Sequence, residues 1–177
     1  IDALLEGSLL AVLVVFLFLR DLRATAISAL AIPLSAIPTF FFMQWMGFTL
    51  NQISLLALSL VAGVLVDDAI VEIENIVRHM RSGKSAWQAA LDAADEIGLA
   101  VVATSATIIA VFLPVSFMGG VTGQFFRQFG LTVAVAVFMS LLVARLITPL
   151  VAAYTLKSHG KVQQGDGPIM PWYLGFL

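Results

Sequence analysis

Hydrophobic residues occur in five long runs separated by short polar segments, and this pattern predicts five membrane-spanning helices. The runs cover residues 4–19, 24–46, 53–77, 97–118 and 129–156. A helix needs about 20 mostly apolar residues to cross the hydrocarbon core of a bilayer. Prolines inside the runs are tolerated, because neighbouring membrane helices satisfy the freed carbonyl groups. We therefore predict an all-α fold, a polytopic transmembrane helix bundle.

The polar segments between the runs differ in charge, and the difference predicts an orientation. Basic residues follow the first, third and fifth runs, in the segments RDLR, RHMRSGK and KSHGK. The other two segments, GFTLNQ and GGVTGQFFRQFG, contain a single basic residue, Arg127. Because positively charged loops remain in the cytoplasm, we expect residue 1 on the outer side of the membrane and residue 177 on the cytoplasmic side.

A short interfacial helix is predicted on the cytoplasmic surface, over residues 86–96. Ser85 and Gln88 have the spacing of an N-terminal capping box. One helical face carries the apolar residues Trp87, Leu91 and Ala94. This pattern is typical of an amphipathic helix that lies at the membrane interface, and we expect it to connect the third and fourth spans.

Composition agrees with a membrane protein and argues against other classes. Charged residues make up 11% of the chain and hydrophobic residues 60%, whereas soluble domains contain about 25% charged residues. Cysteine is absent, so neither a disulfide framework nor a thiolate metal site is expected. The net charge of −2 gives no reason to expect nucleic-acid binding. Since the chain begins with Ile1 and ends in an aromatic stretch, we expect an internal piece of a longer protein.

The third run carries acids where their burial is most costly. Asp67 and Asp68 lie near its middle, where an Asp costs about 2.5–3.5 kcal/mol on insertion scales. Such residues face a bundle interior or a water-filled cavity and mark ion pathways. The alternative is a neutral Asp that joins two helices by hydrogen bonds, but two adjacent residues would each need a partner. We predict that the pair is a proton relay.

Helical geometry places further polar residues around this aspartate pair. Glu74 follows the first aspartate by seven residues, while Glu72 and Asn75 follow the second by four and seven. Carboxylates this close in a low dielectric do not ionise together easily, as suits a proton-loading site. Glu72 and Glu74 are therefore candidate secondary acids, the alternative being acids that face the membrane interface. Gly63, one turn above the pair, would let another helix approach closely.

One cation also falls inside a run. Arg145 lies two to three turns before the basic end of the fifth run. Counted from the middle of each span, Arg145 and Glu72 lie at similar depths on the cytoplasmic side. We predict a salt bridge between them, or failing that between Arg145 and Glu74. The alternative is an arginine that snorkels to the interface.

The fourth run contributes three hydroxyl groups, those of Thr104, Ser105 and Thr107. They have the depth to face the acids and to hold water beside them. In membrane helices such hydroxyls more often bond to the carbonyl group four residues earlier. We favour this backbone bonding for all but one or two of the three.

Three motifs resemble one transporter family. They are GxxxDDAIVxxEN at 63–75, FxPxxFMGGxTGxxxRQF at 112–129 and TPxxAAxxLK at 148–157. Together with FLFLRDLRATAISALAIP at 16–33, they cover nearly the whole chain. The chain is similar to the resistance-nodulation-division (RND) efflux pumps, and its DDA triplet resembles the hydrophobe/amphiphile (multidrug) branch more than the heavy-metal branch.

This resemblance implies a proton-driven antiporter, not an enzyme, in the inner membrane of a Gram-negative cell. The chain would supply helices two to six of the N-terminal half: the bundle at 1–159, then at 160–177 a cytoplasmic linker and the start of the connection to the second half. Asp67 and Asp68 match the family's relay pair, whose cationic partner lies in the C-terminal half. Glu72 and Arg145 depart from the family pattern, which has apolar residues at both positions.

The resemblance also implies the other components of the transporter. Partners would be the C-terminal half, identical subunits of a homotrimer, a periplasmic adaptor, an outer-membrane channel and the lipid bilayer. Protons would be the coupling ion, with no metal or other cofactor. Drugs or other amphiphilic compounds would be the cargo.

Other functions remain open at the level of the sequence. One is a proton-driven lipid or protein-export accessory of the same superfamily. Another is a Mg²⁺-dependent membrane prenyltransferase, which needs Asp-rich motifs near the headgroups together with cations for diphosphate. The adjacent, mid-span acids fit that chemistry poorly. They also fit an intramembrane aspartyl protease poorly, because that enzyme needs its two Asp residues on separate helices.

Overall fold

The protein is a bundle of long helices. The computed structural model describes residues 2–156, apart from the side chains of residues 2–8, 11, 18, 65 and 66. The helices are α1 (Asp2–Leu19), α2 (Leu22–Trp45), α3 (Gln52–Arg81), α4 (Ala86–Val115), α5 (Gly120–Leu142) and α6 (Thr148–Thr155). A π-helical segment, Val143–Ile147, joins α5 to α6 without a break. Within these described residues there is no strand, and the all-α prediction is confirmed.

Four helical stretches are long and apolar enough to cross a membrane. They are Leu22–Trp45, Gln52–Arg81, Ala86–Val115 and Gly120–Thr155. The remaining helix, α1, contains 18 residues and carries the first apolar run. Large aliphatic side chains such as Leu99 and Leu146 point outward, 84% and 65% exposed, as expected for a surface that contacts lipid. The chain is therefore a multi-pass membrane protein.

Two predicted boundaries are wrong. Residues 86–96 do not form a separate interfacial helix, because α4 runs unbroken from Ala86 to Val115. The segment is rich in strong helix formers and contains no residue that would end the helix. Similarly, α5 begins at Gly120, so most of the segment predicted to be a loop is helical. Hydropathy identifies the part of a helix that suits the membrane, whereas the helix itself continues into polar sequence. The predicted linker at 160–177 lies outside the described residues.

Polar contacts fix the helix ends on the predicted periplasmic side. Asn51 caps α3: its side chain accepts hydrogen bonds from the backbone of Ile53 and Ser54, and the Ser54 hydroxyl accepts one in return from the Asn51 backbone. The Asn51 amide also donates to Gln128 Oε1 at 2.9 Å, and Gln128 Nε2 donates to the Thr49 carbonyl at 2.7 Å. The α2–α3 connection is thereby tied to α5.

The core is built around α3, which packs against every other helix of the bundle. Toward the predicted cytoplasmic end, fully buried Ile73 and Ile76 pack among the small side chains of α4. In the other half, Val61 of α3 packs on Val133 and Val137 of α5. The small residues of α4 allow close helix packing, as is common in membrane proteins. This packing brings the polar groups of α3, α4 and α5 into one layer.

Candidate functional site

Asp68 is enclosed at the junction of three helices. It projects from α3 with 8% of its surface exposed. Ser105 Oγ of α4 donates a hydrogen bond to its Oδ2 at 3.3 Å. The hydroxyl of Ser140, on α5, also hydrogen-bonds to this carboxyl group. A buried carboxyl with two hydroxyl partners can be held either as an ion or as an acid, because a hydroxyl both donates and accepts.

Asp67, in contrast to the buried Asp68, lies on an exposed face of α3. It is exposed, since adjacent residues on a helix point about 100° apart. Ser59 and Gly63 precede it at four-residue spacing and are also exposed. Apart from the adjoining backbone of α3 and the two neighbouring residues, no atom of the described residues lies within 4 Å of where a Cβ on Gly63 would be. This strip of α3 is therefore uncovered, and no helix of the described bundle approaches Gly63.

The remaining predicted hydroxyls do not face the acids. Thr104 Oγ1 donates to the Val101 carbonyl at 2.9 Å and Thr107 Oγ1 to the Ala103 carbonyl at 2.7 Å. Both threonines are exposed. Of the three predicted hydroxyls, only that of Ser105 contacts an acid. Ser140 was not predicted, although it carries the same signal as Ser105, a serine inside an apolar run.

Glu72 and Arg145 come together one turn below Asp68. Glu72 is completely buried, and its Oε2 lies 3.5 Å from Arg145 Nη1. The same Nη1 donates a hydrogen bond to the carbonyl oxygen of Ala94 at 2.9 Å. Charge-assisted hydrogen bonds are typically about 2.7–2.9 Å long, so the contact between Arg145 and Glu72 is considerably longer than a strong hydrogen bond. Within the described part of the chain, neither carboxylate oxygen of Glu72 has a hydrogen-bond partner.

Two backbone features allow Arg145 to reach this position. It is the central residue of the π-helical segment, and π turns frequently occur at functional sites. Its guanidinium lies against Gly98 of α4, where a Cβ would be 2.5 Å from Nη2 and 2.9 Å from Cζ. A side chain at position 98 would therefore displace the guanidinium. Neither feature was predicted from the sequence.

Asn75 and Glu74 belong to the predicted cytoplasmic end of α3 rather than to the group of buried acids. Asn75 Oδ1 accepts a hydrogen bond from Arg78 Nη2 at 2.6 Å. Arg78 and His79 both contact the carboxylate of Glu96, at 2.6 and 2.7 Å. Glu74 is exposed and lines a surface groove beside Arg78. No contact between Glu74 and Arg145 is seen among the described residues, and the arginine contacts Glu72 instead.

Comparison with known proteins identifies the family. The model of the AcrB/AcrD/AcrF family matches residues 1–175. The chain is 43% identical to the multidrug resistance protein MdtC of Pectobacterium atrosepticum, covering 98% of this chain and 18% of that protein. It is 46% identical to MdtC of Pantoea ananatis, covering 92% and 16%, and 44% identical to MdtC of Escherichia coli O7:K1, covering 93% and 18%. The chain thus spans less than a fifth of the length of these relatives. The match of the family model over nearly the whole chain, together with the identities to these relatives, shows that the chain belongs to the AcrB/AcrD/AcrF family of RND multidrug efflux proteins.

Proposed function

We propose that the chain is the proton-coupling transmembrane part of an RND-type proton/substrate antiporter that exports drugs or other amphiphilic compounds from the inner membrane. The observation that carries this proposal is the division of the aspartate pair. Asp68 is buried and bonded to serines of two other helices, whereas Asp67 lies on an uncovered strip of α3. The pair thus joins the interior of this bundle to a face that is open for a partner.

The partner for that face is the C-terminal half of the same pump. A cationic side chain from that half would pair with Asp67 and lie close to Asp68. Uptake of a proton by the pair weakens this attraction, and release restores it. The relative position of the two halves then follows the protonation state. A charge that crosses a potential of 100 mV supplies about 2.3 kcal/mol, which is enough to bias such a movement.

The names of the relatives support the proposed cargo, and the charges of the loops support the proposed orientation in the membrane. All three that are described above bear the name of multidrug resistance proteins, and this favours the multidrug branch over a lipid or protein-export accessory. We place the pump in a Gram-negative inner membrane, with its basic loops in the cytoplasm. It works as a homotrimer with a periplasmic adaptor and an outer-membrane channel. Cargo is selected outside this segment of the chain.

The test is dye efflux from cells that carry the full-length pump. Asp67→Asn and Asp68→Asn should each reduce efflux to the level of cells without the pump, and a protonophore should abolish efflux by the unmodified pump. Asp95→Asn is the matched control, because Asp95 is an exposed acid of α4 and its loss should leave efflux unchanged. Efflux that persists in either relay variant, with normal pump levels in the membrane, would contradict the proposal.

A further inference from the structure

Glu72 is a carboxyl group whose surroundings do not satisfy it. Burial of a carboxylate away from water costs several kcal/mol unless a cation and hydrogen bonds compensate for the lost solvation. Glu72 has no exposed surface, and its two oxygens lack hydrogen bonds within the described residues. Arg145, the cation that contacts Glu72, donates to a backbone carbonyl oxygen instead. If the ion pair had only a structural role, we would expect the guanidinium of Arg145 to hydrogen-bond to the carboxylate of Glu72 at about 2.7–2.9 Å.

We propose that Glu72 is a second proton-binding site of the pump and that Arg145 is its movable counter-charge. This inference rests on the proposed function and adds to it a site that lies wholly within one half. When Glu72 takes up a proton, one carboxylate oxygen becomes a hydroxyl and the guanidinium keeps its bond to Ala94. When the proton leaves from that same oxygen, the guanidinium moves onto the carboxylate. Arg145 stays cationic throughout, so the net charge of the pair alternates between +1 and zero.

The movement that this requires is small. Arg145 Nη1 is 2.9 Å from the Ala94 carbonyl oxygen and 3.5 Å from Glu72 Oε2. A displacement of well under 1 Å would bring the second distance into the range of charge-assisted hydrogen bonds, about 2.7–2.9 Å. The absence of a side chain at Gly98 leaves room for the guanidinium. The Arg145 side chain is 27% exposed, so the described helices do not enclose the site completely on the arginine side.

Arg145 is the charged group that acts on Glu72. On α3, Asp68 lies one turn away and is held by serines. On α4, Asp95 is exposed, and Glu96 is engaged by arginine and histidine at the helix surface. The described side chains of α1 include no titratable group, and the titratable groups of the other helices point outward. These are Arg23 of α2, Arg127 of α5 and Tyr154 of α6.

Infrared spectroscopy of the full-length pump in lipid vesicles tests the proposal directly. A protonated carboxylic acid has a distinct carbonyl-stretch band, which disappears when the acid ionises. In the double variant Asp67→Asn/Asp68→Asn we expect such a band to remain and to titrate with pH. Adding Glu72→Gln should remove it. If Arg145→Leu is added to the double variant instead, the carbonyl-stretch band should persist to higher pH, because the cation that favours the ionised form of Glu72 is gone.

Several outcomes separate this site from the relay and from a structural role. A spectrum that Glu72→Gln leaves unchanged, or a Glu72 band that does not respond to pH, would overturn the proposal. If Glu72→Gln does not fold, ¹³C-labelling of glutamate carboxyl groups shows the same band without a substitution at position 72, and Arg145→Leu must still move it. Continued efflux by the Asp67 and Asp68 variants would contradict the relay but leave this spectroscopic result intact.

Discussion

Removal of Arg145 is expected to destabilise the pump, because it leaves Glu72 buried without a cation. When Glu72 is ionised, two unit charges at a separation of 3.5 Å, the distance seen here, attract by about 5 kcal/mol in an effective dielectric constant of about 20. Loss of solvation offsets part of this attraction. Truncating one partner of a buried pair nevertheless costs about 3–5 kcal/mol, since the other charge is left uncompensated.

A double-mutant comparison isolates this effect. Arg145→Leu alone should be the least stable variant. Glu72→Val should cost less, because Arg145 retains its Ala94 carbonyl partner and is not completely buried. The double variant should recover most of the loss, since apolar residues often replace a buried ion pair without penalty. The loss of stability in Arg145→Leu should also increase with pH. At low pH, Glu72 is protonated and carries no charge that needs a counter-ion.

The assay is the apparent melting temperature of the full-length pump in detergent, followed by fluorescence-detected size exclusion. The four proteins are compared at several pH values. If the double variant is no more stable than Arg145→Leu, or if the two single effects simply add, Glu72 and Arg145 do not interact. Additivity within about 0.5 kcal/mol is typical of sites that are not in contact.

Three further substitutions follow from the packing. Gly98→Ala should lower the melting temperature, because the added methyl group must displace the Arg145 guanidinium and overpacking costs about 1–3 kcal/mol; an unchanged melting temperature would contradict the close approach of the guanidinium. Ser105→Ala should shift the pH profile of dye efflux, since a hydrogen bond to a charged group contributes about 1.5–3 kcal/mol, while Thr107→Ala, which bonds only to its own helix, should leave the profile unchanged. Asn51→Ala removes a helix cap and the tie to α5, so the melting temperature should fall by the equivalent of about 0.5–2 kcal/mol.

Much of this architecture could be predicted from the sequence, because hydropathy responds to a single strong requirement. A membrane helix must be apolar over its whole buried length, so each long run corresponds to a continuous helical stretch. Helix ends were less predictable, since α4 and α5 extend beyond the apolar runs, and good helix formers explain this extension only in α4. The depth of a residue along its span sufficed to predict the contact of Arg145 with Glu72, which the structure places at 3.5 Å.

Features that depend on the mutual rotation of helices could not be predicted. The depth of Thr104, Ser105 and Thr107 along their span predicts that they lie near the acids. It does not predict that, once α4 packs on α3, Ser105 is the one that bonds to Asp68. Likewise, the sequence contains 13 glycines, and nothing in it distinguishes Gly98 as the one that meets a guanidinium. The roles of the two aspartates in proton transfer remain predictions.

The π-helical segment has a geometric consequence for the helix that follows it. Four residues at four-residue spacing are almost fully buried along this part of the chain: Ser140, Ala144, Thr148 and Ala152. In a straight α-helix each such step advances the side chain by about 40°, so three steps would turn the last residue by about 120° from the first. A π turn, with its i→i+5 hydrogen bond, contains more residues per turn than an α turn. Each residue therefore rotates by a smaller angle, and the total rotation is reduced. The five residues of the π segment therefore reduce this rotation, and the buried face of α5 continues along the same side into α6. If that turn tightened to a regular α-helix, α6 would rotate about its own axis and turn Ala152 toward lipid.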